Sequence, residues 1–216
     1  MRIRVHFAKT EAMRFTSHLD LYRTWERTIR RSGLPLTYTI GFKPHPRINL
    51  GSALPLGFTS KDEVVDIWID HENSLTEIET ALQRAIPPGI RINQVVCIDQ
   101  REPSLQSMIG AAQYEVEMLE VVPDLEARLT QLLHAGEIAR KRRGKEYDLR
   151  PLIYDLSRLP DSREGNQRIH MILSSRDNAT GRPEEVVQAI GGDPASSLIQ
   201  RVRLLLISEL NEDMKK

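Results

Sequence analysis

The side chains best suited to binding or catalysis are concentrated in residues 16–47, where a basic helical segment precedes a proline-rich loop. Three arginines recur at the i, i+4 and i+7 spacing of a single helical face, and they are Arg23, Arg27 and Arg30. Glu26 can pair with Arg30 four residues later and neutralise part of that charge. The stripe suits contact with phosphate groups, and it suits a solvated helix face equally well.

The loop that follows presents cations beside an aromatic ring on a stiff backbone. Pro44 and Pro46 flank His45, and each proline fixes its own φ and keeps the preceding residue out of the helical region. The side chains that this backbone presents are Phe42, Lys43, His45 and Arg47. With the phenyl ring as a stacking plane, this set predicts contact with a nucleotide or a phosphate ligand. The alternative is a rigid turn whose histidine makes one structural hydrogen bond.

Two histidines are candidates for proton transfer, because imidazole titrates near neutral pH. His45 is the first, with Lys43, Tyr38 or His18 as the second polar group. His18 is the other candidate, although its place on the apolar side of the first helical turn favours a partly buried hydrogen bonder. Ser17 before it is suited to cap the helix. The sequence contains none of the common nucleophile, metalloprotease or phosphate-loop motifs.

No metal or cofactor is expected in this chain. Asp62, Glu63 and Asp66 stand close together in the sequence, but strand alternation places Glu63 on the face opposite the other two. The single cysteine, Cys97, can form neither a disulfide within the chain nor a cysteine-ligated cluster. Its apolar neighbours predict that it is buried.

The elements that must position these residues follow one order twice. Apolar alternation marks strands, and 3.6-residue periodicity marks helices. In the first half we predict a helix between Ser17 and Gly33 and a long loop at 41–60, with strands at 2–8, 36–40, 63–69 and 90–98 and a second helix at 74–86. In the second half we predict strands at 113–120, near 147–149, at 167–174 and at 198–207, with helices at 123–133 and 183–190.

Both halves therefore have the order β-α-β-β-α-β. This predicts an α+β protein of two tandem ferredoxin-like units with antiparallel sheets. The first unit, 1–100, holds the basic helix and the proline-rich loop, and the second, 111–210, holds a basic segment at 140–145. In this topology the first and last strands of a unit are antiparallel neighbours. Acids at 115 and 117 and arginines at 201 and 203 favour that pairing in the second unit.

Composition and charge narrow the class of protein. Hydrophobic residues make up 40% of the 216 and charged residues 28%, as in ordinary globular proteins. The sequence has no apolar run near the roughly 20 residues of a membrane span, so we expect a cytoplasmic protein. The formal net charge is zero, yet residues 1–50 hold ten Lys/Arg against three Asp/Glu. Such a local excess suits a phosphate-bearing partner.

Several long motifs identify a resemblance to a known family. They are RFTSHLDLYR (14–23), RRSGLPLTYTIGFKPHPRI (30–48), LPLGFTSKDEVVDI (54–67), PPGI (87–90), KRRGKEYDLRPLI (141–153) and GRPEEVV (181–187). With them the chain resembles a radical-SAM-associated bacterial family named only as a domain of unknown function (domain of unknown function 2344). The resemblance implies a separately encoded radical SAM protein as a partner, since that chemistry needs a three-cysteine cluster. The family's association with ribonuclease G and ribosomal proteins implies RNA or a ribosomal component as a second partner. The resemblance brings no catalytic residues.

The functional hypothesis is an accessory, non-catalytic module that recognises RNA or a ribonucleoprotein for a separate radical SAM enzyme. The residues predicted to bind nucleic acid are Arg23, Arg27, Arg30, Phe42, Lys43, His45, Arg47, Lys141, Arg142 and Arg143. The alternative is a metal-independent RNA-processing or RNA-modifying enzyme that uses His45. A third hypothesis is a protein adaptor whose basic helix docks on an acidic partner.

Overall fold

The computed structural model describes residues 1–70, 74–142 and 144–213, with the backbone alone for 211–213. The chain forms two compact units, Met1–Met108 and Ile109–Lys216. Each unit combines an antiparallel sheet with helices, so the predicted α+β class is confirmed. No helix among the described residues has both the length and the apolar character needed to cross a membrane.

The first unit is built on an antiparallel sheet. Its described strands are β1 (Arg2–Lys9), β2 (Ile48–Leu50), β3 (Thr59–Trp68) and β4 (Ile90–Ile98). They pair in the order β2-β3-β1-β4. The helices are α1 (His18–Ser32), α2 (Leu75–Ala85) and the short α3 (Leu105–Met108), and a 3₁₀ turn covers Glu11–Met13.

Helix α1 begins and ends where its sequence signals predict. The Ser17 hydroxyl accepts a hydrogen bond from the Asp20 N–H at 3.2 Å, which caps the amino terminus. Gly33 ends the helix at a φ of 72°, a conformation that costs glycine little. Between them Trp25 is fully buried, with its ring edge-on to Phe7 of β1 at 4.9 Å between centroids. This packing fixes α1 on the sheet and leaves its opposite side to solvent.

Strand β1 forms where a strand was predicted, and the side chains of Arg2–Val5 are buried on both of its faces. The alternation correctly places Arg2 and Arg4 on one face, but both are buried, at 2% and 7% exposure. Asp66, fully buried on β3, accepts hydrogen bonds from both guanidinium groups, at 2.5 Å from Arg2 and 2.8 Å from Arg4. Arg2 also donates to the carbonyl of Pro103. The pairing and these hydrogen bonds satisfy charges that would otherwise be too costly to bury.

The strand predicted at 36–40 is wrong, and so is part of the loop predicted at 41–60. Residues 36–40 form isolated bridges only, and the second strand of the unit is Ile48–Leu50. Pro44 and Pro46 lack the N–H groups that a continuous ladder requires. Regular pairing with β3 therefore begins after them, with Ile48 opposite Ile67.

The second unit contains an antiparallel sheet and a separate hairpin. Its described strands are β5 (Ile109–Met118), β6 (Ala139–Arg142), β7 (Lys145–Asp148), β8 (Ile153–Leu159), β9 (Gln167–Arg176), β10 (Ala179–Thr180) and β11 (Ser197–Leu206). The helices are α4 (Leu125–His134), α5 (Pro183–Ala189) and α6 (Ile207–Asp213), with 3₁₀ turns at Arg150–Leu152 and Pro194–Ser196. The main strands pair in the order β8-β9-β5-β11, β10 also pairs with β9, and β6 pairs with β7.

Two sequence expectations for this unit are changed by the pairing. The strand predicted near 147–149 exists as β7, but it pairs with β6, and β8 takes the place beside β9. The predicted antiparallel pairing of β5 with β11 is present, and in its backbone register Arg201 lies opposite Tyr114 and Arg203 opposite Gln113. Glu115 lies opposite Gln200 in that ladder, and it also forms an ion pair with Arg168 of β9 at 3.0 Å.

One further expectation fails in the first unit, because Cys97 of β4 is exposed. The apolar run around it does not place its side chain in the core.

Candidate nucleic-acid interface

The polar side of α1 carries the three predicted arginines. Arg23, Arg27 and Arg30 are all exposed. Arg23 lies 3.5 Å from Asp20. Over the part of the chain that the structure describes, Arg27 and Arg30 form no ion pair. The expected pair between Glu26 and Arg30 is absent among the described residues, and Glu26 Oε1 lies 3.9 Å from His45 Nδ1.

The segment that follows α1 folds into a hairpin, which we name the 36–47 hairpin. Its arms are closed by a hydrogen bond from the Thr39 N–H to the His45 carbonyl and one from the Arg47 N–H to the Thr37 carbonyl, both at 2.8 Å. The His45 N–H donates to the Thr39 hydroxyl at 3.1 Å. With Pro44 and Pro46 limiting the backbone, these bonds hold a short, stiff hairpin.

The base of the hairpin is attached to the end of β3. The Thr37 N–H donates to the Trp68 carbonyl at 3.0 Å, and the Trp68 N–H donates to the Arg47 carbonyl at 3.2 Å. The Arg47 guanidinium lies 4.4 Å from the centroid of the Trp68 ring, within the range of a cation–π contact. Arg47 is therefore held in position while its side chain remains exposed.

The tip of the hairpin presents apolar and cationic groups to solvent. Ile40 and Phe42 are fully exposed, and Tyr38 is 47% exposed. Lys43 and His45 are exposed beside them. These side chains contribute little to the core, so packing does not explain their residue types.

One contact brings the hairpin to α1. His45 Nδ1 lies 3.9 Å from Glu26 Oε1. Because Arg23 and Arg30 are three residues before and four residues after Glu26, they share its side of the helix. The arginine stripe and the hairpin thus form neighbouring parts of one surface, which we call the basic interface.

The two histidine candidates are in different surroundings. His45 is within reach of a carboxylate and forms part of the basic interface. His18 is the first residue of α1 and is exposed, so the expected partial burial is wrong. The Ser17 hydroxyl caps the helix as predicted.

The acids considered for metal binding serve other contacts. Asp66 accepts from two arginines, as described above, while Asp62 contacts His6 at 2.9 Å and Asn93 at 3.0 Å. Over the described residues, no group of three or more His, Cys, Asp or Glu side chains is arranged to hold a metal ion.

In the second unit, the predicted residues Lys141 and Arg142 lie on the β6–β7 hairpin. Lys141 is exposed. Arg142 forms an ion pair with Glu185 at 2.7 Å and donates to the Tyr147 hydroxyl at 2.8 Å and to the Thr180 carbonyl at 3.2 Å. Its guanidinium also lies 4.7 Å from the Tyr147 ring centroid. Arg143 lies outside the described residues.

The two neighbouring carboxylates of α5, Glu184 and Glu185, differ in their hydrogen bonding. Burial and a hydrogen bond to Glu185 raise the pKa of Tyr147 to about 12. Burial also raises the pKa of Glu184, and Glu184 Oε2 has no hydrogen-bond partner within the described structure. Glu185 thus accepts from Arg142 and Tyr147, whereas Glu184 is partly buried and its Oε2 atom has no donor among the described residues.

A cleft of about 690 Å³ lies elsewhere in the second unit, between α4 and the start of β6. Its charged lining consists of Arg128 and Arg140 opposed by Asp124 and Glu137. This balance favours neither an anion nor a cation, and none of the predicted site residues lines it.

Sequence reasoning missed the exposure of Tyr38 and Ile40 in the interface. Both fall in the segment 36–40, which was predicted to be a strand. The nearby prolines were the signal that could have found them, since a segment that cannot pair fully leaves its apolar side chains without a core. Trp68 beneath Arg47 was also missed, because that contact joins separate elements.

Comparison with solved structures shows similarity of fold alone. The chain matches a chain of the crystal structure of a Cbf5-Nop10-Gar1 complex with a TM-score of 0.51 and 8% identity, covering 94% of this chain and 48% of that one. It also matches a chain of the archaeal box H/ACA sRNP Nop10-Cbf5 complex at a TM-score of 0.46 and 9% identity, with 94% and 47% covered. This chain therefore spans about half the length of the chains it matches.

Comparison at the sequence level gives the family. No curated protein matches the chain. A family model described as "Uncharacterized protein conserved in bacteria (DUF2344)" matches residues 2–183, which include the whole of the basic interface and both strands of the β6–β7 hairpin. The chain therefore belongs to this bacterial family, DUF2344.

Proposed function

We propose that the first unit binds RNA through the basic interface and thereby recognises a substrate for another protein. One observation carries the proposal: exposed arginines of α1 lie beside a stiff hairpin that exposes a phenylalanine, a lysine and a histidine. Exposed cations supply affinity for a phosphate backbone, and an exposed aromatic ring supplies a surface for a base.

The charges of the interface are available to a ligand. Arg27 and Arg30 have no internal ion pair across the described residues, and Arg23 has only an exposed contact with Asp20. An exposed pair of that kind contributes about 0–1 kcal/mol, so a phosphate group can displace it at little cost. Arg47 is already oriented by Trp68, which reduces the entropy lost on binding.

The proposal also includes a partner enzyme and a ferredoxin-like topology for each of the two units. The family resemblance supports a separate radical SAM enzyme in the cytoplasm as the protein served, with RNA or a ribonucleoprotein as its substrate. The observed strand orders β2-β3-β1-β4 and β8-β9-β5-β11 support two ferredoxin-like units, because the two orders are equivalent. We place Lys141 as an additional phosphate contact and give Arg142 a smaller part, since it is engaged by Glu185.

Charge reversal tests the proposal. The variant Arg23→Glu/Arg27→Glu/Lys43→Glu should lose RNA affinity by on the order of 100-fold or more at low salt, because each change replaces attraction by repulsion. The matched control reverses three other exposed arginines of the same unit, Arg84→Glu/Arg91→Glu/Arg101→Glu. Fluorescence anisotropy with labelled RNA over a range of salt concentrations measures both. Equal losses in the two variants, or no binding by the unchanged protein at low salt, would overturn the proposal.

A second candidate function is metal-independent RNA processing or modification at His45. The observation that favours it is Glu26 Oε1 at 3.9 Å from Nδ1, since a carboxylate can orient an imidazole for proton transfer. His45→Ala separates the two functions. A binding module should keep most of its RNA affinity, whereas an enzyme should bind RNA and fail to convert it.

A further inference from the structure

We infer that the tip of the 36–47 hairpin stacks Phe42 on an unpaired base, so that the ligand of the basic interface is single-stranded RNA. This inference rests on the proposed function and specifies its substrate class. It starts from the tip itself, where Ile40 and Phe42 are both fully exposed within three residues of each other.

The exposure of these side chains has a cost in the free protein. A large apolar side chain that stays in water forgoes the favourable free energy of burial. Single exposed apolar residues are common on protein surfaces. Two of them at the tip of one short hairpin, with Tyr38 partly exposed in its arm, form a local apolar patch that a ligand can cover.

The hairpin is stiff enough to present Phe42 without a large entropic cost. Its arms are joined by two backbone hydrogen bonds, and the Thr39 hydroxyl binds the His45 N–H. Its base is bonded to Trp68. A ring presented on such a support loses less conformational freedom on stacking than a ring on a mobile loop.

The charges around the tip identify the partner as a polyanion with exposed ring faces. Lys43 follows Phe42 directly, and His45 is nearby and close to α1, whose Arg23 and Arg30 flank the contact residue Glu26. Cations beside a stacking ring match a strand whose phosphates alternate with accessible bases. In an A-form duplex the base faces are already stacked on one another, and the major groove is too narrow for side chains to enter. Phe42 therefore has a binding surface on a single strand and none on a duplex.

The test separates stacking from charge. The probe is a labelled single-stranded RNA of about 12 nucleotides, within the range bound by single-strand modules, together with the same strand annealed to its complement. Phe42→Ala should lower affinity for the single strand about tenfold, or about 1.4 kcal/mol. It should leave the salt dependence unchanged, since no phosphate contact is removed. Phe42→Tyr should restore affinity because it restores the ring.

The matched control is Phe15→Ala, which removes another exposed phenylalanine whose ring is contacted by Arg14 at 5.5 Å. It should retain single-strand affinity. Single-strand binding that survives Phe42→Ala, or equal affinity for the duplex and the single strand, overturns this inference and leaves the proposed function standing. Failure of the unchanged protein to bind either RNA at low salt overturns both.

Discussion

The basic side chains of the α1 interface and those of the β6–β7 hairpin differ in what they contact. Arg27 and Arg30 in the first region are exposed, and no described residue forms an ion pair with them. Arg142 in the second region is tied to Glu185, to the Tyr147 hydroxyl and to the Thr180 carbonyl. Two arginine-rich segments of similar sequence character thus differ: the α1 arginines are exposed to solvent, whereas Arg142 attaches the β6–β7 hairpin to α5.

This difference shows that a run of basic residues is insufficient to assign a binding site. A cation binds a phosphate group only if that contact is more favourable than the contacts that the cation gives up within the protein. An arginine with an exposed partner loses little on switching, whereas a partly buried arginine with several acceptors would leave them unsatisfied. The partners of each cation therefore rank the predicted residues, and Arg142 falls below Arg27.

The largest expected effect on stability comes from replacing one arginine of each region with alanine and comparing the two free energies of unfolding. Arg142→Ala should lower the free energy of unfolding by about 2 kcal/mol, because Glu185 and Tyr147 lose their donor in a partly buried site. Arg27→Ala should change it by less than about 0.5 kcal/mol, since its side chain is exposed. Urea unfolding followed by circular dichroism measures both.

RNA affinity should show the reverse order in the same two variants. Arg27→Ala should weaken binding and reduce the salt slope by about 0.7, the value for one lost phosphate contact on a single strand. Arg142→Ala should leave the slope nearly unchanged under conditions where the protein stays folded. A stable Arg142→Ala protein with a reduced slope would place Arg142 in the interface and remove the distinction between the two regions.

Tyr147 provides a smaller, pH-dependent test of the contacts among Arg142, Tyr147 and Glu185. Its pKa is raised from 10.0 to about 12 in the folded protein, mainly by burial and then by Glu185. The neutral phenol is therefore favoured by folding: the stability it contributes is complete below pH 10 and is lost as pH rises through about 12. The difference in unfolding free energy between the unchanged protein and Tyr147→Phe should shrink across this interval. A difference that stays constant would show that the phenol titrates normally.

Local features of the fold could be predicted from the sequence, and the partners of the charged residues could not. The start of α1 at Ser17, its end at Gly33 and the buried Trp25 all follow from signals within one helix. The contact of Asp66 with Arg2 spans 64 residues, and that of Arg142 with Glu185 spans 43. No periodicity links residues so far apart, so neither the burial of Arg2 nor the ion pair of Arg142 could be read from the sequence.

The candidate site was predictable to the same extent. Its residue types and the stiffness of the proline loop could be read from neighbouring residues. The contact between His45 and Glu26 could not, because it depends on how the hairpin returns to α1. The two residues are 19 positions apart in the sequence, so no local pattern links them.

The smallest expected effect concerns Glu184, whose Oε2 atom has no hydrogen-bond partner among the described residues. Burial raises the pKa of Glu184, so folding favours its protonated form. The contribution of Glu184 to the free energy of unfolding is therefore present at acid pH and is lost as pH rises through the pKa of the folded state. Glu184→Gln removes the buried charge and should stabilise the protein at neutral pH by up to about 1 kcal/mol. The neighbouring change Glu185→Gln is the matched control, and it should destabilise the protein because it weakens the ion pair with Arg142. Thermal unfolding at pH 7 compares the two, and a loss of stability in both would mean that Glu184 has a favourable partner and that the two carboxylates are equivalent.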